Sequence, residues 1–235
     1  MDWFRAVNNY CERTDASYWS EPINAVTNAS FLIAAAICWR LIGDRRDFGA
    51  RLLTIVLAAI GVGSYLFHTH AQIWSLIADV VPIQLFILIY LYYATVRFFG
   101  LPWWAGAAAV ALFIPYAALT ARGIAALVGP LNGSVGYAPV PILIAAYALA
   151  LRTRAPETAR GLAIGAGILV ASLFFRTIDG AVCDAIPIGT HFLWHVLNGA
   201  MLGWMIVVLL RDGEQAAAGP GAGPGAGLAE PRPRG

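Results

Sequence analysis

The chain has 235 residues, of which 60% are apolar and only 12% are charged, and its mean hydropathy is +0.70. A soluble domain is about half apolar and about a quarter charged, so this composition excludes that class and indicates a membrane protein. The net charge is only +2 and every basic residue is arginine, which argues against a basic surface for nucleic acid.

The first 22 residues lack both a basic start and an early apolar run, so they are predicted to form an outer segment rather than a signal peptide. Residues 23–212 contain seven apolar runs and are predicted to form an all-α domain of seven transmembrane helices. Residues 213–235 are rich in glycine and proline, which predicts a disordered tail. The predicted helices are Ile23 to Leu41, Leu52 to Phe67, Trp74 to Val96, Leu101 to Ala121, Tyr137 to Leu151, Leu162 to Arg176 and Ile188 to Leu210.

Arginine residues are distributed unequally between the two ends of this arrangement. Arg5, Arg13, Arg122 and Arg176 fall at one end. The positive-inside rule therefore predicts an outer N-terminus and a cytoplasmic C-terminus, which requires an odd number of crossings. Short loops and the absence of lysine favour a bacterial inner membrane. The arginines of the predicted inner end are Arg40, Arg45, Arg46, Arg51, Arg97, Arg152, Arg154, Arg160 and Arg211.

Three histidines and a carboxylate are predicted to meet at the outer end of the helices. Ser64 and His68 are four residues apart on one helix, and His191 and His195 are four apart on another, so each pair shares a helical face. Asp79 lies near the start of a third helix. Three imidazoles at one depth are typical of catalytic zinc, although each histidine could instead cap a helix or hydrogen-bond at the membrane interface.

Asp79 and Ser64 are the candidate catalytic residues. A carboxylate beside zinc and water is suited to general-base chemistry, and a neighbouring hydroxyl can donate to an oxyanion. The alternatives are that Asp79 is only an anion near a helix start and that Ser64 bonds its own backbone. His70, the fourth histidine, is assigned to a loop.

The outer segment is dense in oxygen ligands, and Asn9, Glu12, Thr14, Asp15 and Glu21 could bind calcium. The alternative is a solvated cap in which Glu21 starts the first helix. Two further pairs of residues at the outer end of the predicted helices could interact. Cys11 and Cys183 could form a disulfide in an oxidising compartment, and Arg176 could pair with Asp179, three residues along its helix.

Several motifs in residues 9–200 together resemble the alkaline ceramidase family. This family lies within a wider superfamily of seven-helix membrane hydrolases and receptors, and the resemblance is to a bacterial-type member. The motifs are YCE at 10–12, EPINAVTN at 21–28, GVGSYLFH at 61–68, DVVPI at 79–83, RTID at 176–179 and HFLWH at 191–195.

The resemblance implies specific ligands and a specific pairing. Zinc would bind to His68, His191 and His195, with Asp79 and Ser64 beside it. The resemblance also implies that Cys11 pairs with Cys183. Calcium would bind in the outer segment, where Asn9 and Thr14 differ from the family's residue types; its five positions are Asn9, Tyr10, Glu12, Thr14 and Glu21.

The expected function is zinc-dependent hydrolysis of the amide bond of a ceramide-like membrane lipid, which yields a fatty acid and a sphingoid base. No protein partner is expected. A receptor-like or channel protein with a structural zinc site is the alternative, and a transporter is disfavoured because the sequence has no evident internal repeat.

Overall fold

The computed structural model describes residues 2–218, which form eight α-helices, one short 3₁₀ helix and no β-strand. The helices are α1 (Pro22–Thr27), α2 (Ala29–Ile42), α3 (Phe48–His70), α4 (Ile73–Phe99), α5 (Trp103–Val128), α6 (Pro139–Leu151), α7 (Pro156–Val182) and α8 (His191–Ala218), and the 3₁₀ helix is Leu131–Gly136. Since α1 and α2 are interrupted only at Asn28, they correspond to the first predicted helix.

Each predicted apolar run lies mostly within a helix, although the runs that start at Leu101, Tyr137 and Ile188 begin two or three residues before their helices. Only six helical segments in residues 2–218 are long and apolar enough to span a bilayer. The exception is α6, which has 13 residues and is therefore about 20 Å long, against a hydrocarbon core of about 30 Å. The structure thus confirms an all-α protein with apolar helices. A count of seven crossings remains a prediction.

Some of the predicted helices end too early. Helix α3 continues to His70, so this residue ends a helix rather than lying in a loop. Helix α8 continues to Ala218 and includes the first residues of the predicted tail. The remainder of that tail, residues 219–235, lies outside the described residues.

Helices α3 and α8 form the centre of the bundle, whereas α5 lies at its periphery with most of its side chains exposed. Helices α3 and α4 approach each other closely at Gly63, where a Cβ atom would collide with the backbone carbonyl of Ala78. This contact fixes the positions of the residues that follow Gly63 and Ala78 on the two helices.

The arginine-rich end of the bundle is joined by an ion pair between two helices. Asp47 caps the start of α3 by accepting from the backbone N–H of Ala50, and its oxygens accept from Arg97 of α4 at 2.6 and 2.7 Å. Burial alone would raise the pKa of Asp47, but the hydrogen bonds from Arg97 hold it below its usual value.

The Asp47→Asn variant tests this pair, because asparagine can still cap α3 but carries no charge. A lowered pKa in the folded state stabilises the protein above about pH 4, and the contribution is lost as pH falls through the folded pKa. We expect the wild type to melt above Asp47→Asn at neutral pH, and the gap in Tm to shrink only as the pH falls below about 4. Asp44→Asn, at an exposed residue of the same loop, is the control. A gap that is constant with pH would contradict the assignment.

Candidate metal centre

Three histidines converge at the end of the bundle opposite the Asp47–Arg97 pair. His68 lies in the last turn of α3, and His191 and His195 lie in the first turns of α8. Their ring centroids are 4.6 to 5.2 Å apart, and one nitrogen of each ring lies within 4.8 Å of the others. All three side chains are buried. The i, i+4 spacing on α8 therefore places two imidazoles on the face that meets α3.

Hydrogen bonds fix the orientation of two of the rings. His68 Nδ1 lies 2.6 Å from Glu21 Oε2, so that a protonated Nδ1 donates to this carboxylate. His195 Nδ1 lies 3.0 Å from Thr27 Oγ1, whose own hydroxyl can donate to the carbonyl of Ile23 at 2.8 Å. Both arrangements direct the lone pair to Nε2, as metal-binding histidines require.

The nitrogens that remain are buried without hydrogen-bond partners among the described residues. They are Nε2 of His68, Nε2 of His195 and Nδ1 of His191. A buried polar atom without a partner is costly, so three of them facing one small space need an explanation. A metal ion bound by the three imidazoles would satisfy them together.

His191 is positioned by Asp179, a role that the sequence did not predict. Asp179 is fully buried, and one of its carboxylate oxygens accepts from the backbone N–H groups of Thr190 at 2.7 Å and His191 at 2.9 Å. The other oxygen accepts from the backbone N–H of Cys11 at 3.0 Å. Cys11 also forms a disulfide with Cys183. Asp179 therefore joins the outer segment to the start of α8.

The predicted Arg176–Asp179 ion pair is wrong, because the Asp179 carboxylate accepts from backbone N–H groups instead. Arg176 instead donates to the carbonyl of Asn132 at 2.6 Å and to Ser134 Oγ at 3.1 Å. Its guanidinium also lies over the ring of Trp194, 5.5 Å from the centroid. Arg176 thus binds the Leu131–Gly136 helix to the bundle beside α8.

Asp79 and Ser64 are neighbours beside the histidines. They follow the close contact of Gly63 with Ala78, and the Ser64 hydroxyl lies close enough to the Asp79 carboxylate to stabilise its charge. Ser64 is buried, whereas Asp79 is half-buried with Oδ1 buried and unpartnered among the described residues. The Asp79 carboxylate therefore has a buried oxygen without a hydrogen-bond partner among the described residues.

The side chains of the five residues of the predicted calcium site make different contacts in the structure. Both oxygens of Glu12 accept from backbone N–H groups at the start of α1, from Ile23 at 2.7 Å and from Asn24 at 2.8 Å. Tyr10 stacks on His191 with 3.5 Å between ring centroids. Asn9 and Thr14 are exposed. Glu21 is the one member that bonds directly to a histidine.

The titration of these outer groups follows from burial and from their partners. Burial raises the pKa of Tyr10 to about 12, so its hydroxyl stays protonated at neutral pH. Burial also raises the pKa of Glu12, although two backbone N–H groups donate to it. Burial alone would raise the pKa of Glu21, but the hydrogen bonds and charges of His68 and Arg13 hold it below its usual value.

Comparison with known families identifies the family of the chain. A family model described as Ceramidase matches residues 5–215, which is most of the chain. The chain belongs to the ceramidase family. A comparison with curated proteins finds no match. Family membership implies an amidohydrolase that acts on ceramide, a membrane lipid.

An apolar cavity lies close to the histidines of this ceramidase-family chain. Trp194 and Asn198, which lie within one turn of His195 on α8, form part of its wall. Phe86 and Ala94 of α4 line it further along the bundle. The cavity therefore occupies the apolar interior of the bundle next to the three histidines.

Proposed function

We propose that the protein is a zinc-dependent hydrolase that cleaves the amide bond of ceramide-like lipids within the membrane. The observation that carries this proposal is the cluster of three buried imidazole nitrogens without partners, which lies beside Asp79 and next to an apolar cavity. Hydrolysis of a lipid amide requires a metal, a base, and a space for an acyl or sphingoid chain, and these three features meet one requirement each.

The donor set fits zinc better than other biological metals. Three neutral imidazoles with an open fourth position are typical of catalytic zinc, whereas magnesium and calcium prefer oxygen ligands. His68, His191 and His195 would hold the ion. Bound there, zinc would polarise the amide carbonyl and make water a better nucleophile at neutral pH.

Asp79 is the proposed general base and acid. Its free oxygen takes a proton from the attacking water, whose oxygen bonds to the amide carbonyl carbon. Asp79 then gives that proton to the amide nitrogen as the C–N bond breaks, so that a fatty acid and a sphingoid amine leave. The sequence predicts Ser64 as an oxyanion donor; we also assign its hydroxyl to orienting the Asp79 carboxylate, because the two side chains lie close to each other.

The cavity determines the length of chain that the protein accepts. Ala94 is buried and lines the cavity on α4, about 22 Å along the helix axis from Asp79. Ala94→Phe fills this distant part of the cavity and leaves the histidines unchanged. We expect it to lower hydrolysis of long-chain relative to short-chain ceramides by roughly tenfold or more. Ala108→Phe, at an exposed position of α5, is the control; an unchanged ratio in Ala94→Phe would exclude the cavity as the chain site.

The metal centre is proposed to face the outside of a bacterial inner membrane, with seven crossings. The arginine-rich end would then be cytoplasmic. A reporter fused after residue 218 is expected to lie in the cytoplasm. A reporter fused before residue 2 is expected to lie outside. Two reporters on the same side would contradict the odd number of crossings.

The direct test of function is hydrolysis by the purified protein in detergent or vesicles. We expect equimolar release of fatty acid and sphingoid base from a ceramide with a labelled acyl chain, and no release by the His191→Ala, His195→Ala double variant. A protein that binds zinc and hydrolyses no ceramide would instead support the receptor-like or channel alternative with a structural zinc site.

A further inference from the structure

Arg13 of the outer segment is buried, with only 6% of its surface exposed. Arginine is almost never buried unless it is paired, and its guanidinium has five N–H donors to satisfy. In this structure the donors are directed at four oxygens. Nε donates to Glu21 Oε1 at 2.5 Å, one terminal nitrogen donates to the carbonyls of Asp15 at 3.2 Å and Ser17 at 3.3 Å, and the other donates to the carbonyl of His68 at 2.9 Å.

These four oxygens come from separate parts of the chain. Asp15 and Ser17 belong to the outer segment, Glu21 immediately precedes α1, and His68 lies in the last turn of α3. The carbonyls of a last helical turn lack partners within the helix, and a cation at this end is favoured by the helix dipole. The Arg13 guanidinium therefore joins three elements through one charge.

A carboxylate and backbone carbonyls are also the ligands that calcium takes, in sets of about six to eight oxygens. The residues present do not fit calcium. The Glu12 oxygens already accept from backbone N–H groups, Asn9 and Thr14 are exposed, and Glu21 already faces a cation in Arg13. A divalent ion at this place would meet the positive charge of the guanidinium at close range.

We infer that the Arg13 guanidinium is the resident cation of the outer segment, that it takes the place of calcium, and that it holds Glu21 in position to orient His68. The second oxygen of Glu21 accepts from His68 Nδ1 at 2.6 Å and from Asn24 Nδ2 at 3.2 Å. One carboxylate is thus fixed by Arg13 on one side and fixes the imidazole on the other. Arg13 is a positioning residue two contacts away from the metal centre.

Calcium binding by the wild type tests whether Arg13 takes the place of calcium, and the Glu21→Gln variant tests whether any bound calcium lies beside Glu21. Equilibrium dialysis against labelled calcium up to about 1 mM covers the range in which most protein calcium sites bind. We expect no calcium to bind to the outer segment and no change in Tm when calcium is added. One calcium per chain in the wild type that is lost in Glu21→Gln would overturn the replacement.

Zinc affinity tests the positioning role, and this part rests on the proposed zinc site. Arg13→Ala is expected to lower Tm on the order of 10 °C, because it leaves Glu21 buried without its cation. Below that Tm, we expect Arg13→Ala to weaken zinc binding by about 10-fold to 100-fold, which is the usual effect of losing a partner of a metal ligand. Arg13→Lys keeps the charge but presents three donors from one point, so an intermediate zinc affinity is expected.

Arg5→Ala removes an exposed arginine of the same segment and is the control, with wild-type Tm and zinc affinity expected. Wild-type zinc affinity in both Arg13 variants would overturn the positioning role. If the wild type itself binds no zinc, the proposed function fails, and the calcium measurement still decides whether Arg13 replaces calcium.

Discussion

The Asp79→Asn protein is expected to fold normally and to retain zinc, but to lose on the order of 10² to 10⁴ in turnover of ceramide. Asparagine keeps the shape of the side chain and can still bond to Ser64, but it cannot take a proton from water. Zinc should stay bound because the unpartnered nitrogens belong to the three histidines and not to Asp79. Zinc content, Tm and turnover are measured on one preparation.

Asp184→Asn is the matched control, because Asp184 is an exposed carboxylate at the same end of the bundle. It should keep wild-type turnover. If Asp79→Asn binds zinc and turns over ceramide at a near-normal rate, Asp79 has no part in proton transfer. Lost zinc or a much lower Tm would instead indicate a structural role for this carboxylate.

Replacement of His191 and His195 by alanine is expected to abolish both zinc binding and hydrolysis. The double variant leaves only His68, and one imidazole cannot hold the ion in a site that requires three. Loss of a partner of a ligand costs about 10-fold to 100-fold in metal affinity, so the loss of two ligands should lower it by well over 100-fold.

His70→Ala provides the control for this variant, since His70 is an exposed histidine at the end of α3. It should retain one zinc per chain and full turnover. One zinc per chain in the purified double variant would show that the metal binds elsewhere.

The sequence predicted the convergence of the three histidines because these residues are related by short helical spacings. His191 and His195 share a face of α8 by their separation alone, and the lengths of the apolar runs bring His68 to the same end of the bundle. Apolar runs also predicted where the helices lie, although α6 proved shorter than a span. Local periodicity was sufficient for these features.

The supports of the centre could not be predicted, because they join residues that are distant in the chain. Thr27 and His195 are 168 residues apart, as are Cys11 and Asp179. The i, i+3 spacing of Arg176 and Asp179 favoured a local ion pair, but unsatisfied backbone N–H groups at the start of α8 bind the carboxylate instead. Only the packing of the outer segment on the helices determines these contacts.

The most direct test of the account is removal and return of zinc in a single purified preparation. The protein is depleted of metal with a chelator, and ceramide hydrolysis is followed as zinc is added back in fractions of one ion per chain. We expect the metal-free protein to be inactive, and activity to rise in proportion to bound zinc until one ion per chain is reached. Full hydrolysis by the metal-free protein would contradict the central claim that zinc on His68, His191 and His195 is required for the reaction.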